Sequence, residues 1–270
     1  MKKTLKELLK STTKEQHLIH CITNPISITL CANALLSLGA KPIMAEHPKE
    51  VSEITARSDA LLLNIGNITD ARLQSIVLSA KKASRRGIPM VLDCVGISCS
   101  SFRRKFVLKL LKRYKFQIIK GNFSEISALY KNSCTSRGVD STEVSDLKQM
   151  INLTKELSQK YDSVILASGK TDIITDKSTC ALIKNGVLHL SEITGTGCLL
   201  GALCARFLPS SQPFYAAILS CALLGISGEL SLSENKNGTF LSNLLDTLSG
   251  FDLSFFEKNL NAEVFDFEKT

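Results

Sequence analysis

Residues 60–96, ALLLNIGNITDARLQSIVLSAKKASRRGIPMVLDCVG, decide the fold class. ALLLNIG is a short, continuously apolar run, which predicts a strand buried on both faces. TDARLQSIVLSAKKASRRG has the apolar spacing of a helix, with a threonine cap at its start and Gly87 at its end. PMVLDCVG then predicts a second buried strand. A strand, a helix and a strand in this order indicate two parallel strands joined by a crossover helix.

The same alternation continues on both sides of this unit. Upstream, LIHCIT predicts a strand and SITLCANALLSLG a helix that ends at Gly39. Downstream the order is helix SFRRKFVLKLLKRY, strand QIIKGN, helix FSEISALYK, a loop around NSCTSRGVDST, helix SDLKQMINLTKELSQKY and strand SVILASG. Apolar strands separated by helices are typical of a parallel sheet that helices cover on both faces.

The pattern changes after residue 170. DIITD, TCALIKNG and VLHLSEI are short and close together, which predicts a small antiparallel section with a hairpin turn at Asn185–Gly186. Three apolar helical segments follow, TGCLLGALCARFL, PFYAAILSCALLGISGELSLSE and GTFLSNLLDTLS. No repeat or low-complexity linker divides the chain. We therefore expect an α/β protein with a three-layer αβα architecture, a mostly parallel central sheet and a single domain over residues 1–270.

Composition narrows the class of protein. Hydrophobic residues make up 44% and charged residues 21% of the 270 residues, an ordinary balance for a globular protein. No window of roughly 18 residues is continuously apolar, and the basic N-terminus lacks the apolar core of a signal peptide. We therefore expect no membrane partner and a cytoplasmic location. The net charge of +8 is concentrated on predicted helix faces without interleaved aromatic residues, which argues against nucleic acid as a partner.

The nine cysteines lie at positions 21, 31, 94, 99, 134, 180, 198, 204 and 221. The chain has no C-x-x-C pair, and its four scattered histidines do not supply the missing ligands, so a zinc site is not predicted. A disulfide framework is unexpected in a chain of this length without an export signal. Most of these thiols are therefore predicted to be small core residues in a reducing compartment.

In open parallel sheets, ligands bind beyond the carboxyl ends of the strands. Polar or glycine-containing segments follow six predicted strands or apolar runs. These segments are HCITN (20–24), NIGN (64–67), DCVG (93–96), KGNFSE (120–125), ASGKTD (167–172) and TGTGC (194–198). We expect the functional residues among them.

TGTGC is the strongest of these local signals. Its glycines precede an apolar helix, and the first N–H groups of a helix carry partial positive charge without an intrahelical partner. Such a turn lets a phosphate come close to the backbone. It is not a Walker A loop, because no G-K-[ST] follows, and it is not a dinucleotide fingerprint. The alternative is a plain tight turn before a buried helix.

KGNFSE carries two possible meanings. Asn122 and Glu125 lie three residues apart, so both can face one side of a first helical turn. A carbonyl oxygen and a carboxylate suit Mg²⁺, usually through water. The alternative is that Asn122 caps the helix and Glu125 completes a capping box. Asp93 is likewise either a turn residue or a second acidic contact to a metal-bound triphosphate. Acid, base and glycine turn together suggest phosphoryl transfer from Mg·ATP.

With these residues assembled, the chain resembles the hydroxyethylthiazole kinases of the ribokinase-like superfamily from about residue 18 to about residue 250. The resemblance is carried by HCITN, ANALLSLGAKPIMAE, LLLNIGN, VLDCVG, IIKGNFSEI and TGTGCLLGA, in family order and spacing. It implies ATP-dependent and Mg²⁺-dependent phosphorylation of the primary alcohol of 4-methyl-5-(2-hydroxyethyl)thiazole, a step of thiamine salvage. It also implies a homotrimer with substrate pockets between neighbouring subunits.

The resemblance also implies roles for particular residues. Met44, Gly195 and Asn24 are expected at the thiazole. The nucleotide and its phosphates are expected at Lys120, Ser168, Gly197 and Asn122, and Mg²⁺ at Glu125 and Asp93.

Cys198 is the implied catalytic residue. Related sugar kinases have an aspartate base at this position, facing the hydroxyl group of the acceptor. A helix N-terminus should lower the pKa of a thiol, whereas a neighbouring triphosphate opposes that effect. We therefore expect Cys198 to act as a modest base or as an orienting group, without a covalent intermediate.

Several positions depart from the family pattern. Cys94 stands where proline is usual, Lys120 where arginine is frequent, and Ser168 where threonine is common. Pro25 beside Asn24 and His47 near Met44 bear on substrate preference, and His47 itself is expected to be a surface loop residue.

Three other functions compete with this interpretation. An NAD(P)HX-type dehydratase and a pyrimidine or pyridoxal kinase share the expected fold, but both should have aspartate at the position of Cys198. A catalytically lapsed small-molecule binder is the third, although the retained Asn122, Glu125 and glycine turn argue against it.

Overall fold

The computed structural model describes residues 2–12, 15–130, 147–232, 236–251 and 253–267. The loop predicted around NSCTSRGVDST, with Cys134, lies outside these ranges. The strands are β1 Leu18–Ile22, β2 Lys41–Ile43, β3 Ala60–Asn64, β4 Met90–Asp93, β5 Ile118–Asn122, β6 Val164–Ser168, β7 Asp172–Asp176, β8 Thr179–Ile183 and β9 Ala262–Asp266. The helices are α1 Lys2–Thr12, α2 Ile28–Ser37, α3 Val51–Arg57, α4 Asp70–Arg86, α5 Ser101–Arg113, α6 Phe123–Tyr130, α7 Leu147–Tyr161, α8 His189–Glu192, α9 Thr196–Phe207, α10 Pro213–Leu230, α11 Asn237–Ser249 and α12 Leu253–Asn259.

The strands form one twisted sheet in the order β2-β1-β3-β4-β5-β6-β7-β8-β9. Strands β1 to β6 pair in parallel, and β6 to β9 pair antiparallel. Strand β2 pairs with one edge of β1 and strand β3 with the other edge, so the winding direction reverses at β1. This reversal is a topological switch point, where ligands of such sheets bind.

Helices cover both faces of the sheet, as expected for a three-layer αβα fold. Alternate residues of each buried strand point to opposite faces, as in β3, where Leu62 packs on one side and Leu61 and Leu63 on the other. The core on the Leu62 side includes residues of α2, α9, α10 and α11. The core on the opposite side includes residues of α4 to α7. Strands buried on both faces explain why their sequences are apolar without alternation.

The predicted start and end of α4 are confirmed. The hydroxyl of Thr69 accepts a hydrogen bond from the N–H of Arg72, and Gly87 ends the helix with φ +69°. A side chain in that left-handed conformation would be strained, so glycine suits the position.

The prediction for residues 187–193 was wrong. VLHLSEI contains α8 rather than a strand, and the observed hairpin turn joins β7 and β8 at Lys177–Ser178. The side-chain amide of Asn185 instead donates to both carboxylate oxygens of Glu229. Strand β9, which pairs with β8, was not predicted because its partner lies about eighty residues earlier in the sequence.

One described helix, α10, is long and apolar enough to cross a membrane, but 78% of its apolar window is buried inside the fold. Its apolar character all round the helix is explained by burial in the core. Most of the described cysteines are buried as well, which confirms the core interpretation, whereas Cys99 is exposed.

Candidate active site

The candidate residues meet beyond the carboxyl ends of the parallel strands. Asn24 follows β1, Met44 follows β2, and Asn64 ends β3. These three strands surround the switch point. Asp93 ends β4 and Asn122 ends β5, so the sheet continues the same edge toward the nucleotide candidates.

Strand register places three polar side chains in one row. Asn64 is the register partner of Asp93, and Asp93 is the partner of Lys120. The Lys120 ammonium lies 3.0 Å from Asp93 Oδ1, and the Asn64 amide donates to Asp93 Oδ2 at 2.8 Å. Asp93 is 0% exposed and Lys120 only 3% exposed. The two charges therefore compensate each other in a buried site.

The electrostatic interaction within this ion pair opposes the effect of burial on the pKa of each partner. Burial raises the pKa of Asp93, and Lys120 and Asn64 oppose that rise. Burial alone would lower the pKa of Lys120, but the Asp93 and Glu125 carboxylates outweigh burial and raise it. Lys120 is therefore a permanent cation beneath the strand ends.

Asn122 and Glu125 form a reciprocal capping box at the start of α6. The N–H of Glu125 donates to Asn122 Oδ1, and the N–H of Asn122 donates to Glu125 Oε2, both at 2.8 Å. Glu125 Oε1 accepts the N–H of Gly96 at 2.8 Å. The capping alternative of the sequence is thus realised. It fixes the Glu125 carboxylate close enough to Asp93 that burial and that second carboxylate raise the pKa of Glu125 to about 7.

The same carboxylates fit a magnesium ion only together with a ligand. Among the described residues, no three His, Cys, Asp or Glu side chains are grouped to hold a metal ion by themselves. Each oxygen of Glu125 accepts one N–H group, which leaves a further lone pair on each. Mg²⁺ typically uses one or two carboxylates together with phosphate oxygens and water. Glu125 matches that pattern, and its capping and metal contacts are compatible. Both oxygens of buried Asp93 already accept Lys120 and Asn64, so Asp93 has only the lone pairs that these bonds leave for a metal contact.

Cys198 lies in the first turn of α9, facing β1 and β3. Its Sγ accepts the side-chain amide of Asn24 at 3.0 Å and that of Asn64 at 3.3 Å. The surroundings of this thiol act against the lowered pKa that a helix N-terminus by itself favours. Burial, followed by the Asp93 carboxylate, raises the pKa of Cys198, whereas Ser27, Lys120 and Asn64 oppose that rise. At neutral pH the sulfur is a thiol.

The turn before α9 has the geometry of an anion site. Gly195 is the N-cap with φ +101°, and its Cα hydrogens face Ser27 and Leu30 so closely that a Cβ would lie 3.3 Å from each. Gly197 is exposed, and a Cβ there would meet nothing within 4 Å. The N–H groups of this first turn have no intrahelical acceptor. Open space therefore lies in front of a row of backbone donors.

The side chain of Thr196 braces this turn, and a glycine in the same helix brings α9 close to the ion pair. The hydroxyl of Thr196 lies 2.5 Å from the carbonyl of Leu190 and 3.1 Å from that of Ile193, so its hydrogen bond holds the segment before α9 in place. Farther along α9, a Cβ on Gly201 would lie 3.3 Å from Asp93 Oδ2. Glycine at this position lets α9 lie directly over the buried ion pair.

Ser168 and Met44 lie at the two ends of the site. Ser168 is the register partner of Asn122, is partly buried, and donates to the carbonyl of Gly121 at 3.4 Å. Met44 is partly buried against the core that contains Cys198. His47, as expected, is exposed. Its Nδ1 accepts the N–H of Lys49 at 3.3 Å, an interaction within its own loop.

Sequence reasoning missed three residues that hold the site. Asn64 stood in the candidate segment NIGN without a role. His20 is fully buried, and its ring contacts the carbonyl of Ala45, next to Met44, at 2.9 Å. Arg72 is also buried. It lies four residues before the buried Ile76, on the apolar face of α4, and a charge in that position was the available signal.

Comparison with known proteins agrees with the family resemblance that the sequence motifs indicate. The family model described as the hydroxyethylthiazole kinase family matches residues 9–253. Hydroxyethylthiazole kinase 1 of Clostridium botulinum (strain Loch Maree / Type A3) is 41% identical over 247 residues, which cover 90% of this chain and 93% of that protein.

Solved structures agree with these sequence matches. A hydroxyethylthiazole kinase from Pyrococcus horikoshii OT3 superimposes with a TM-score of 0.89 at 30% identity, covering 97% of this chain and 99% of that one. A ribokinase-like superfamily protein from Enterococcus faecalis V583 has a TM-score of 0.66 at 12% identity, covering 93% and 94%, and shows the shared fold alone.

Proposed function

This chain belongs to the hydroxyethylthiazole kinase family, and we propose that it transfers the γ-phosphoryl group of ATP to the primary alcohol of 4-methyl-5-(2-hydroxyethyl)thiazole, a step of thiamine salvage. The observation that carries this proposal is the open glycine turn of α9, placed beside the buried Asp93–Lys120 pair and over Asn24. Phosphoryl transfer needs little covalent help from the protein, so positioning and charge stabilisation are its main requirements.

The acceptor alcohol binds at the switch-point end of the site. We assign Asn24, Met44 and Gly195 to this end, where residues of two neighbouring subunits meet in the assembly proposed below. We assign Met44 the apolar contact with the thiazole ring and Asn24 a polar contact near the hydroxyl group. An alcohol held there lies next to the first turn of α9, where the phosphoryl group must arrive.

The nucleotide binds along the ends of β5 and β6. An ammonium has three N–H donors, and Asp93 accepts one from Lys120, so the others can serve phosphate oxygens. Ser168 and Asn122 lie at the same sheet level and provide a hydroxyl and an amide for the nucleotide. The N–H groups around Gly197 stabilise the charge on the phosphoryl oxygens during transfer.

Glu125 and Asp93 would hold Mg²⁺ through water and phosphate oxygens. The ion supplies charge neutralisation to the β- and γ-phosphates when it is bound. Glu125 is kept in place by the Gly96 and Asn122 N–H groups, so its carboxylate faces the site in one orientation.

Cys198 acts as an orienting group in this proposal. Its raised pKa argues against a thiolate base at neutral pH. With Sγ accepting the amides of Asn24 and Asn64, the thiol proton is directed elsewhere, and the sulfur fixes the two amides relative to the α9 turn.

The assembly we propose is a homotrimer with pockets between subunits. Ile26, two residues beyond Asn24, is 68% exposed, and Leu188 is 72% exposed. Packing these side chains against a neighbouring subunit would remove apolar surface from water, which favours assembly. The described cysteines are free thiols, which supports a cytoplasmic, reducing location.

The proposed activity predicts ADP and thiazole phosphate from purified protein, Mg·ATP and hydroxyethylthiazole. Coupled ADP release and mass spectrometry of the phosphorylated product measure this outcome. Pyridoxal and hydroxymethylpyrimidine serve as comparison acceptors. Turnover of one of these with none of the thiazole would refute the substrate assignment.

The assembly predicts a particle three times the 29.5 kDa mass of one chain. Light scattering after size exclusion, at several protein concentrations, measures it. A monomer at all concentrations that retains full activity would contradict pockets between subunits.

Gly197→Ala tests the anion site of α9. The new methyl group has free space within the protein but points to where the phosphoryl oxygens must lie, so we expect kcat/KM to fall about 100-fold. The melting temperature should be unchanged or slightly raised, because alanine favours a helix over glycine.

Gly238→Ala is the matched control for this substitution. Gly238 is also exposed near the start of a helix, with nothing within 4 Å of its Cβ position. It should retain wild-type kinetics. Equal activity of Gly197→Ala and the control would remove the α9 turn from the phosphate site.

Cys198→Ser separates an orienting group from a base. Loss of orientation should lower kcat by about 10-fold, whereas loss of a general base costs about 100-fold or more. The KM for ATP and the shape of the kcat–pH profile should stay as in wild type, and Cys99→Ser, at an exposed thiol, is the control. A fall beyond 100-fold together with loss of one limb of the pH profile would establish a titrating base instead.

A further inference from the structure

Arg72 is a buried cation that the proposed chemistry does not use. It lies in the first turn of α4 and is 3% exposed. A buried guanidinium is costly unless its N–H donors find partners, so its contacts show what it holds.

The guanidinium contacts three separate segments of the site edge. Its Nη1 donates to the carbonyls of Asn67 at 2.8 Å and Gly66 at 3.3 Å. Its Nη2 donates to the carbonyl of Thr23. Its Nε lies 3.1 Å from the carboxylate of Glu46, an ion pair by distance that lacks the geometry of a hydrogen bond.

Each residue that Arg72 contacts lies within three positions of a residue assigned to the site. Thr23 directly precedes Asn24, and Glu46 is two residues beyond Met44. Gly66 donates its own N–H to Asn64 Oδ1 at 2.8 Å, so the Gly66 segment also fixes that amide. One side chain therefore ties together the segments after β1, β2 and β3.

Two further observations show how closely α4 constrains the segments after β2 and β3. Asn67 adopts φ +46°, a left-handed conformation that asparagine adopts more readily than most other residues, and Arg72 donates to the carbonyl of this residue. On the same helix, the hydroxyl of Ser75 donates to the carbonyl of Glu46 at 2.7 Å. Helix α4 thus holds the segment after Met44 at two points.

We propose that Arg72 is the positioning residue for the acceptor pocket: it sets Met44, Asn24 and Asn64 in their mutual geometry without touching the substrate. This inference rests on the proposed function. The planar fork of arginine reaches acceptors in several directions at once, which a lysine ammonium on a flexible stem does not reproduce.

The contacts of Arg72 are with the acceptor end of the site. Lys120, Ser168 and the α9 turn are not among its hydrogen-bond or ion-pair partners in the part of the chain that the structure describes. Loss of the fork should therefore weaken acceptor binding more than ATP binding. A merely structural role would lower the active fraction, and with it kcat, at unchanged KM for both substrates.

Arg72→Lys tests the proposal because it keeps the charge and removes the fork. We expect the KM for hydroxyethylthiazole to rise about 10-fold and the KM for ATP to stay within about twofold. Arg57→Lys on α3 is the matched control, since Arg57 is exposed and pairs only with Glu53 one turn away among its described ion pairs. It should have wild-type kinetics.

A folded Arg72→Lys protein with a wild-type KM for the thiazole, or with equal rises in both KM values, would overturn the proposal. If Arg72→Lys does not fold, Glu46→Gln decides, because it changes only a half-exposed partner. It should raise the thiazole KM about threefold at constant KM for ATP, and unchanged values for both substrates would overturn the inference.

The wild-type assay keeps this test separate from the proposed function. If the wild type phosphorylates a different alcohol, the thiazole assignment fails, and the same comparison of KM values is then made with that alcohol. The positioning role stands or falls on the split between the two KM values.

Discussion

The buried Asp93–Lys120 ion pair is the constraint on which the rest of the site depends. Removing two charges from water costs several kcal/mol per ion unless they are paired and hydrogen-bonded. Here the pair is formed by register partners of adjacent strands, and Asn64 satisfies the second carboxylate oxygen. The pair is tolerated because strand register places the ammonium and the carboxylate side by side within hydrogen-bond distance. Correct strand pairing in the sheet is therefore required for the charged groups at its edge to compensate each other.

Around this ion pair, the same residues stabilise the fold and shape the candidate site. Asn64 contacts both Asp93 and Cys198, and Gly201 lets α9 approach the carboxylate. Glu125 caps α6 and retains lone pairs toward the site. The raised pKa values of Cys198 and Glu125 have the same origin, because burial beside Asp93 disfavours any additional negative charge. An incoming anion must accordingly be met by backbone N–H groups and cations.

Much of the fold could be predicted from periodicity and caps. The apolar strands, the Thr69 cap and Gly87 were read correctly, and the order of strands and helices implied a parallel sheet covered on both faces. The antiparallel end was predicted only in part. Residues 187–193 form α8 and not a strand, and β9 joins β8 from a distant part of the chain. Short apolar runs do not distinguish a helix turn from a strand, and no local signal specifies a partner about eighty residues away.

The sequence by itself determined the fold class, the family and the residue types at the strand ends, because these depend on local pattern and on ordered motifs. Tertiary structure alone decided how those residues act on one another. Strand register paired Lys120 with Asp93, and burial raised the pKa of Cys198, where the helix N-terminus by itself predicted a lower value. Arg72 acquired its partners only when three strand ends came together. Contacts and desolvation are properties of packing, and packing brings together residues that the chain keeps far apart.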